Sequence, residues 1–197
     1  MRKKDKQRPS LTIHQTRVLR DYENILNITV LNPNQLFEFA EDDPEALLPL
    51  LKSMIDQAVR SDVIFEYTMI DMELNNLLIR HFFGTGKRLQ AAKKTKRFKT
   101  LNIILQNIYL IQKLTLVRKF KNIPKSIVSK IAAINELRNG LAHTFFVKEL
   151  KPAKRTYKKY SIFTRNGLED FHEDIQEIRY FFMPWLRNIV EDEKNQT

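Results

Sequence analysis

The stretch 60-RSDVIFEYTMIDMELNNLLIRHFF-83 carries the reading of the fold. Ile70, Leu74, Leu77, Leu78 and His81 recur at i, i+4, i+7, i+8 and i+11, the spacing of one buried stripe on a helix. Upstream, 42-DDPEALL-48 is a helix start: Asp43 can cap, Pro44 suits the first helical position, and Glu45 complements the positive end of the helix dipole. Helical periodicity then runs to Phe83, with Pro49 near its beginning. Ser61 and Asp62 are predicted to cap a second piece, and Gly84 and Gly86 to end the region.

The same pattern extends outward in both directions. Before it, a helical segment is predicted over residues 11–28, with Ile13, Val18, Leu19, Ile25 and Leu26 apolar, and Asn32, Pro33 and Asn34 form a break. After it, one amphipathic helix is predicted over 98–119 through Phe98, Leu101, Leu105, Ile108, Gln112 and Leu116. Pro124 separates it from a helix over 125–143 whose apolar face is Ile127, Ile131, Ile134 and Leu141. A basic, β-leaning connection follows, 147-VKELKPAKRTYKKYSIFT-164. The last helix is predicted over 167–190, with Leu168, Phe171, Ile175, Ile178, Phe182 and Trp185 on one side and a kink at Pro184. The architecture predicted is an all-α helical bundle with a basic loop or short hairpin before the last helix. The domain spans 11–190, between a basic arm at 1–10 and a polar tail at 191–197.

Composition narrows the chemistry. With 43% hydrophobic residues the chain can bury a sizeable core, and only four glycines and seven prolines favour long elements. The absence of cysteine excludes disulfides, thiolate catalysis and Cys-ligated metals, and fits a reducing cytoplasm. The basic start MRKKDKQRPS is not followed by an apolar run, so it does not read as a signal peptide. The most apolar segment, 101-LNIILQNIYLIQKLTLV-117, is interrupted by Asn102, Gln106, Asn107, Gln112 and Lys113, so it reads as core rather than a membrane span. No membrane partner is expected.

Thirty-four Lys and Arg against 23 Asp and Glu leave a net charge of +11, which concentrates polyanions around the chain. The charge clusters at 2–8, at 87–99 and at 148–159. Most charge runs are solvated faces. The third cluster differs because Tyr157 and Tyr160 interleave Lys154, Arg155, Lys158 and Lys159, offering stacking surfaces to unpaired bases beside phosphate-binding cations. These six residues are the RNA-binding candidates.

Two apparent sites do not survive scrutiny. 84-GTGKR-88 lacks the first glycine and the Ser or Thr of a phosphate loop, because position 81 is His and Arg88 follows the Lys. His14, His81, His143 and His172 show no metal-ligand spacing; His81 is expected to pack in the core, and His14 and His172 to be solvated. No metal and no cofactor are expected.

The catalytic candidates lie in 134-INELRNGLAHTFF-146. Asn139 and His143 are four residues apart and so share a helix face, while Arg138 lies ~100° round from Asn139. One chain therefore offers a polar wedge; two copies across a two-fold axis would close a deeper basic pocket. There His143, of ordinary pKa near ~6.5, can take the 2′-hydroxyl proton of RNA. Arg138 can stabilise the crowded phosphate charge, and Asn139 can orient the phosphate or the imidazole. Attack by the neighbouring 2′-oxygen needs no metal. On its own, an R-N-x3-H hexamer reads more readily as structural residues at a helix end than as a site.

The R-N-x2-A-H arrangement of Arg138, Asn139, Ala142 and His143, preceded by two amphipathic helices, resembles the HEPN superfamily, whose ribonuclease members carry an R-x4–6-H motif. Residues 60–83 resemble the S-D-R-x-like helix of its mannitol-repressor group, with Val63 where that group has Arg. 160-YSIFTRNGLEDFHEDIQEIRYFF-182 is similar to the closing segment of many HEPN-like proteins, so the resemblance covers roughly residues 44–183. It implies an all-α homodimer with two R-N-x3-H motifs meeting at the interface. It further implies metal-independent endoribonuclease chemistry by Arg138 and His143, with Asn139 as helper. The settings implied are defence and toxin–antitoxin systems, with RNA as substrate and an antitoxin protein as partner. Toxins of this kind silenced by adenylylation carry Tyr two residues after the His. Here that residue is Phe145, so silencing by that route is not expected. The mannitol-repressor branch keeps open a catalytically silent regulator or nucleic-acid-binding dimer.

Overall fold

A computed structural model describes residues 44–142 and 152–194. Helix α1 spans Pro44–Phe83, followed by α2 (Gly86–Lys93), α3 (Lys96–Asn107), α4 (Leu110–Val117) and α5 (Lys125–Ala142). A 3-10 turn at Pro152–Arg155 leads into strands β1 (Thr156–Tyr157) and β2 (Tyr160–Ser161), and α6 (Arg165–Lys194) closes the chain. Among the described residues the fold is all-α apart from this one short antiparallel hairpin, in which Thr156 pairs with Ser161 and Tyr157 with Tyr160. The helix over 11–28, the Asp43 cap, His14 and the basic arm at 1–10 fall outside the described residues, and of the tail expected at 191–197 the first four residues continue α6.

Helix α1 is the axis of the molecule, packing against α4, α5 and α6. Leu51, Ile55, Val59, Val63, Ile70, Leu74, Leu77 and Leu78 are all buried along one face. The stripe passes unbroken through Ser61 and Asp62, so the second helix start expected there does not form. The flanking Val59 and Val63 are both fully buried, and a helix end between them would take one of them off the core. Arg60 bonds back to Asp56 at 2.9 Å, an i,i+4 pair that also favours continuation. At its other end α1 stops at Gly84, whose φ of +79° lets its N–H reach the Arg80 carbonyl at 2.8 Å.

The single helix expected over 98–119 is two. Thr95 Oγ1 accepts from the Phe98 N–H and caps α3, which ends where Ile108 turns extended. Gln112 then reaches back to accept from the Tyr109 N–H at 2.8 Å and starts α4. The break rephases the chain so that Leu105 on one side and Leu110, Leu114 and Val117 on the other all face the core. Lys113 lies on the buried face of α4, 2% exposed, with its ammonium 2.6 and 2.7 Å from the two Asp71 oxygens of α1.

Helix α5 buries Ile127, Ile131, Ile134, Leu137 and Leu141, and α6 buries Leu168, Phe171, Ile175, Ile178 and Phe182 at alternating three- and four-residue steps. Both follow their sequence periodicity. Helix α6 starts two residues earlier than expected and continues through Pro184.

Where α1 meets α6 the core stripe is interrupted by charge. Glu66 sits in register with Val63 and Ile70, is buried, and receives both oxygens' bonds from Arg179 at 2.7 and 2.9 Å. Burial pushes its carboxyl up, an effect that Arg179 opposes without reversing. One turn earlier His172 Nε2 lies 2.9 Å from Asp62 Oδ2, an ionic contact without the alignment of a good hydrogen bond. Asp62 raises the His172 pKa against the opposing effect of burial. His172 is therefore a paired seam residue, not the solvated one expected. Further along, Glu73 has a buried oxygen without a hydrogen-bond partner, and burial raises its pKa to about 7. Its folded pKa exceeds the unfolded value of ~4.3, so the cost of the charged form grows as pH rises through that interval and is complete above it. Glu73→Gln is expected to stabilise the protein by about 1–2 kcal/mol near pH 8, after discounting for solvent screening, and to be almost neutral near pH 4. Melting curves of both chains at the two pH values check this; an equal shift at both would exclude titration as the cause.

Candidate nucleic-acid site

The C-terminal turn of α5 carries Arg138 and Asn139 on a firmly anchored backbone. Leu137 and Leu141 hold this turn in the core, and Arg60 of α1 donates from NH1 to the Leu141 carbonyl at 2.6 Å. That bond satisfies one of the carbonyls a helix end leaves open. Gly140 is buried because the 3-10 turn crosses over it: a Cβ there would stand 2.6 Å from the Lys154 carbonyl oxygen. The glycine inside the R-N-G-L-A-H motif is thus what brings the basic connection against the candidate site.

Arg138 is half-buried. Its guanidinium carbon lies 4.9 Å from the centre of the Tyr67 ring, within cation–π range. Its NH1 donates to Asn139 Oδ1 at 3.1 Å, and its Nε is buried without a partner. No carboxylate among the described residues pairs with it. Burial raises the Tyr67 phenol, with Arg138 acting the other way, so the ring beneath the guanidinium is a neutral π surface. Asn139 is exposed beside it. The ~100° separation expected from helix geometry does not keep the two apart, because the long Arg138 side chain reaches the Asn139 amide oxygen. His143, one residue beyond the end of α5 as described, and Phe145 lie outside the described residues.

The six RNA-binding candidates divide. Lys154 and Lys159 are exposed, Arg155 is partly so, and Tyr160 is 44% exposed. Tyr157 is not available for stacking on bases: it is 2% exposed, its ring sits edge-on to Phe171, and its hydroxyl donates to Asp174 Oδ2 at 2.8 Å. Lys158, at a left-handed φ of +51° in the hairpin turn, donates to Asp174 Oδ1 at 3.1 Å. Lys130 of α5 approaches the same oxygen at 2.7 Å and Glu177 at 2.6 Å. Burial works to raise Asp174, yet Lys130, Tyr157 and Lys158 together hold it below the usual carboxylate range. Asp174 thus ties α5, the hairpin and α6 together.

His81, expected in the core, is exposed. Its ring stacks flat on Phe120 at 3.8 Å. Among the described residues no group of His, Asp and Glu is arranged to hold a metal ion, and no helix is long and apolar enough to cross a membrane.

No protein-family model matches this chain, and neither does a curated protein or a solved structure.

Proposed function

We propose that the chain is a HEPN-type endoribonuclease that cleaves RNA by attack of the 2′-oxygen, in a defence or toxin–antitoxin setting with an antitoxin protein as partner. The observation that supports it is Arg138: an arginine held on an aromatic face, with a buried unpartnered Nε and, among the described residues, no carboxylate paired with it. A cation kept half-buried and uncompensated stabilises an incoming phosphate better than one already neutralised. In this reading Arg138 binds the phosphate that becomes crowded with charge, Asn139 orients it, and His143 accepts the 2′-hydroxyl proton. A second copy, brought by a two-fold axis, supplies the other half of the pocket.

The test is incubation of the full chain with end-labelled RNA in the presence of EDTA. Products ending in a 2′,3′-cyclic phosphate, lost with His143→Ala, support the reading. Intact RNA, or a stable monomer by sedimentation at micromolar concentration, would end it. The contact between Arg138 and Tyr67 favours a second reading, a catalytically silent regulator or nucleic-acid-binding dimer in which Arg138 only braces α1 against α5. That reading expects RNA binding without cleavage.

The basic connection has its own expected result. Lys154, Arg155 and Lys159 replaced together by Gln should weaken RNA binding and flatten its salt dependence by about two units, at ~0.7 per single-strand phosphate contact. Lys158→Gln should change the slope little, because Asp174 already takes its ammonium. Titrations at several salt concentrations decide it; an unchanged slope in the triple variant would return this loop to ordinary solvated charge.

A further inference from the structure

We propose that the turn between α4 and α5 is a second phosphate-binding site, which takes the backbone of a single-stranded nucleic acid and stacks a base on the His81 and Phe120 rings. Residues 118–123 line an open cleft of about 330 Å³, the lower end of the ~300–1,000 Å³ usual for small-ligand sites. Arg118, Lys119 and Lys121 set three cations around it, and Asn122 adds an amide that can both donate and accept. All four are exposed, and none has a carboxylate partner among the described residues. The first turn of α5, which begins just beyond, carries no acidic residue either. Like charges gathered without counterions are a standing attraction for a polyanion.

The turn presents these cations on an ordered backbone. The Arg118 N–H donates to Leu114 at 3.0 Å, Lys119 to Leu116 at 3.0 Å, and Phe120 and Lys121 both to the Val117 carbonyl at 3.1 and 2.9 Å. Lys121 is positioned further by Trp185, whose ring centre lies 5.1 Å from its ammonium.

The aromatic pair specifies the kind of anion. Phe120 is anchored on the core, and His81 lies over it with planes 7° from parallel. An exposed ring at the end of an existing stack can be extended by one more planar group. Unpaired bases supply that group whatever their sequence, whereas duplex bases, acidic peptides and lipid headgroups do not. The cleft stands about 20 Å along α5 from Arg138, at 1.5 Å per residue, so it is separate from the candidate catalytic site. The inference shares with the proposed function only the choice of RNA as the natural strand.

The experiment uses the full chain and a fluorescein-labelled RNA of about 12 nucleotides, followed by anisotropy near 0.15 M salt. Arg118→Gln, Lys119→Gln and Lys121→Gln combined should weaken binding about 10-fold and flatten the salt slope by about two units. A charge-matched control, Lys93→Gln, Lys94→Gln and Lys96→Gln, should cost clearly less. Equal losses in the two triple variants would overturn the proposal, because net charge would then account for both. If the pocket triple variant melts early, the single substitutions carry the same comparison.

His81→Ala should weaken the single strand about 5-fold and leave a duplex of the same sequence unaffected. Equal effects on both would remove the stacking role. Competition by poly-glutamate as effective as that by RNA would overturn the assignment to nucleic acid. Cleavage by the pocket variant at saturating RNA should be unchanged. Absence of cleavage in the parent chain, with pocket-dependent binding intact, would sink the ribonuclease reading and leave this site standing.

Discussion

Asp71→Ala is expected to destabilise the protein by about 3 kcal/mol, the lower part of the range for breaking a buried ion pair. Lys113 is 2% exposed and both its short contacts are to Asp71. Removing the carboxylate leaves an ammonium between α1 and α4 with neither water nor a counter-charge. Expelling Lys113 to solvent would unseat Leu110, Leu114 and Val117 of the same helix, which is costly. Asp71→Leu combined with Lys113→Met should recover most of the loss, since two apolar groups of similar size remove the desolvation cost together with the attraction. Urea unfolding of the parent, single and double variants checks both statements. A double variant no more stable than Asp71→Ala would show that packing, not the orphaned charge, causes the loss.

His143→Ala and Arg138→Ala are each expected to lower the RNA cleavage rate by about 10²-fold or more. In the proposed mechanism His143 is the base, and without it the 2′-hydroxyl would lose its proton to water. The same proposal has Arg138 supply charge where charge develops, so its loss should lower the rate at saturating RNA as well as the affinity. Asn139→Ala should cost less, because a positioning amide exchanges no proton. Arg138→Ala also removes the contact with the Tyr67 ring, worth roughly 0.5–1 kcal/mol at a partly exposed position, so a small fall in melting temperature accompanies it. Arg138→Lys separates the two duties: it keeps the charge but loses the planar fork. Full cleavage by Arg138→Lys would argue against bidentate phosphate recognition. Normal cleavage by Arg138→Ala would remove the residue from the chemistry.

The candidate site was legible to different depths at different residues. Arg138 and Asn139 stand out in the sequence because a short polar run ends an apolar-periodic helix. What holds them does not: Arg60 reaches the Leu141 carbonyl across 81 positions, and Tyr67 lies under Arg138 from another helix. The basic, aromatic run at 154–160 reads as a single surface, and the fold divides it. Tyr157 and Lys158 turn to Asp174 while Lys154, Lys159 and Tyr160 remain outside. The cluster at 118–121 carries no signal in the sequence, since three cations beside a lone Phe look like any solvated turn until His81 is stacked upon it.

What the sequence determined by itself is the all-α class and the buried face of the long helices α1, α5 and α6. Burial periodicity is a local property, and Leu168, Phe171, Ile175, Ile178 and Phe182 carry it within one segment. Only the tertiary structure decided which charges are neutralised in the interior and which stay available. Glu66 and Arg179 are 113 positions apart, and Lys113 and Asp71 are 42 apart. Nothing near either residue in the chain announces its partner. A buried ion pair forms only where two helices bring opposite charges within about 3 Å away from water, and that meeting is set by packing geometry rather than by local preference.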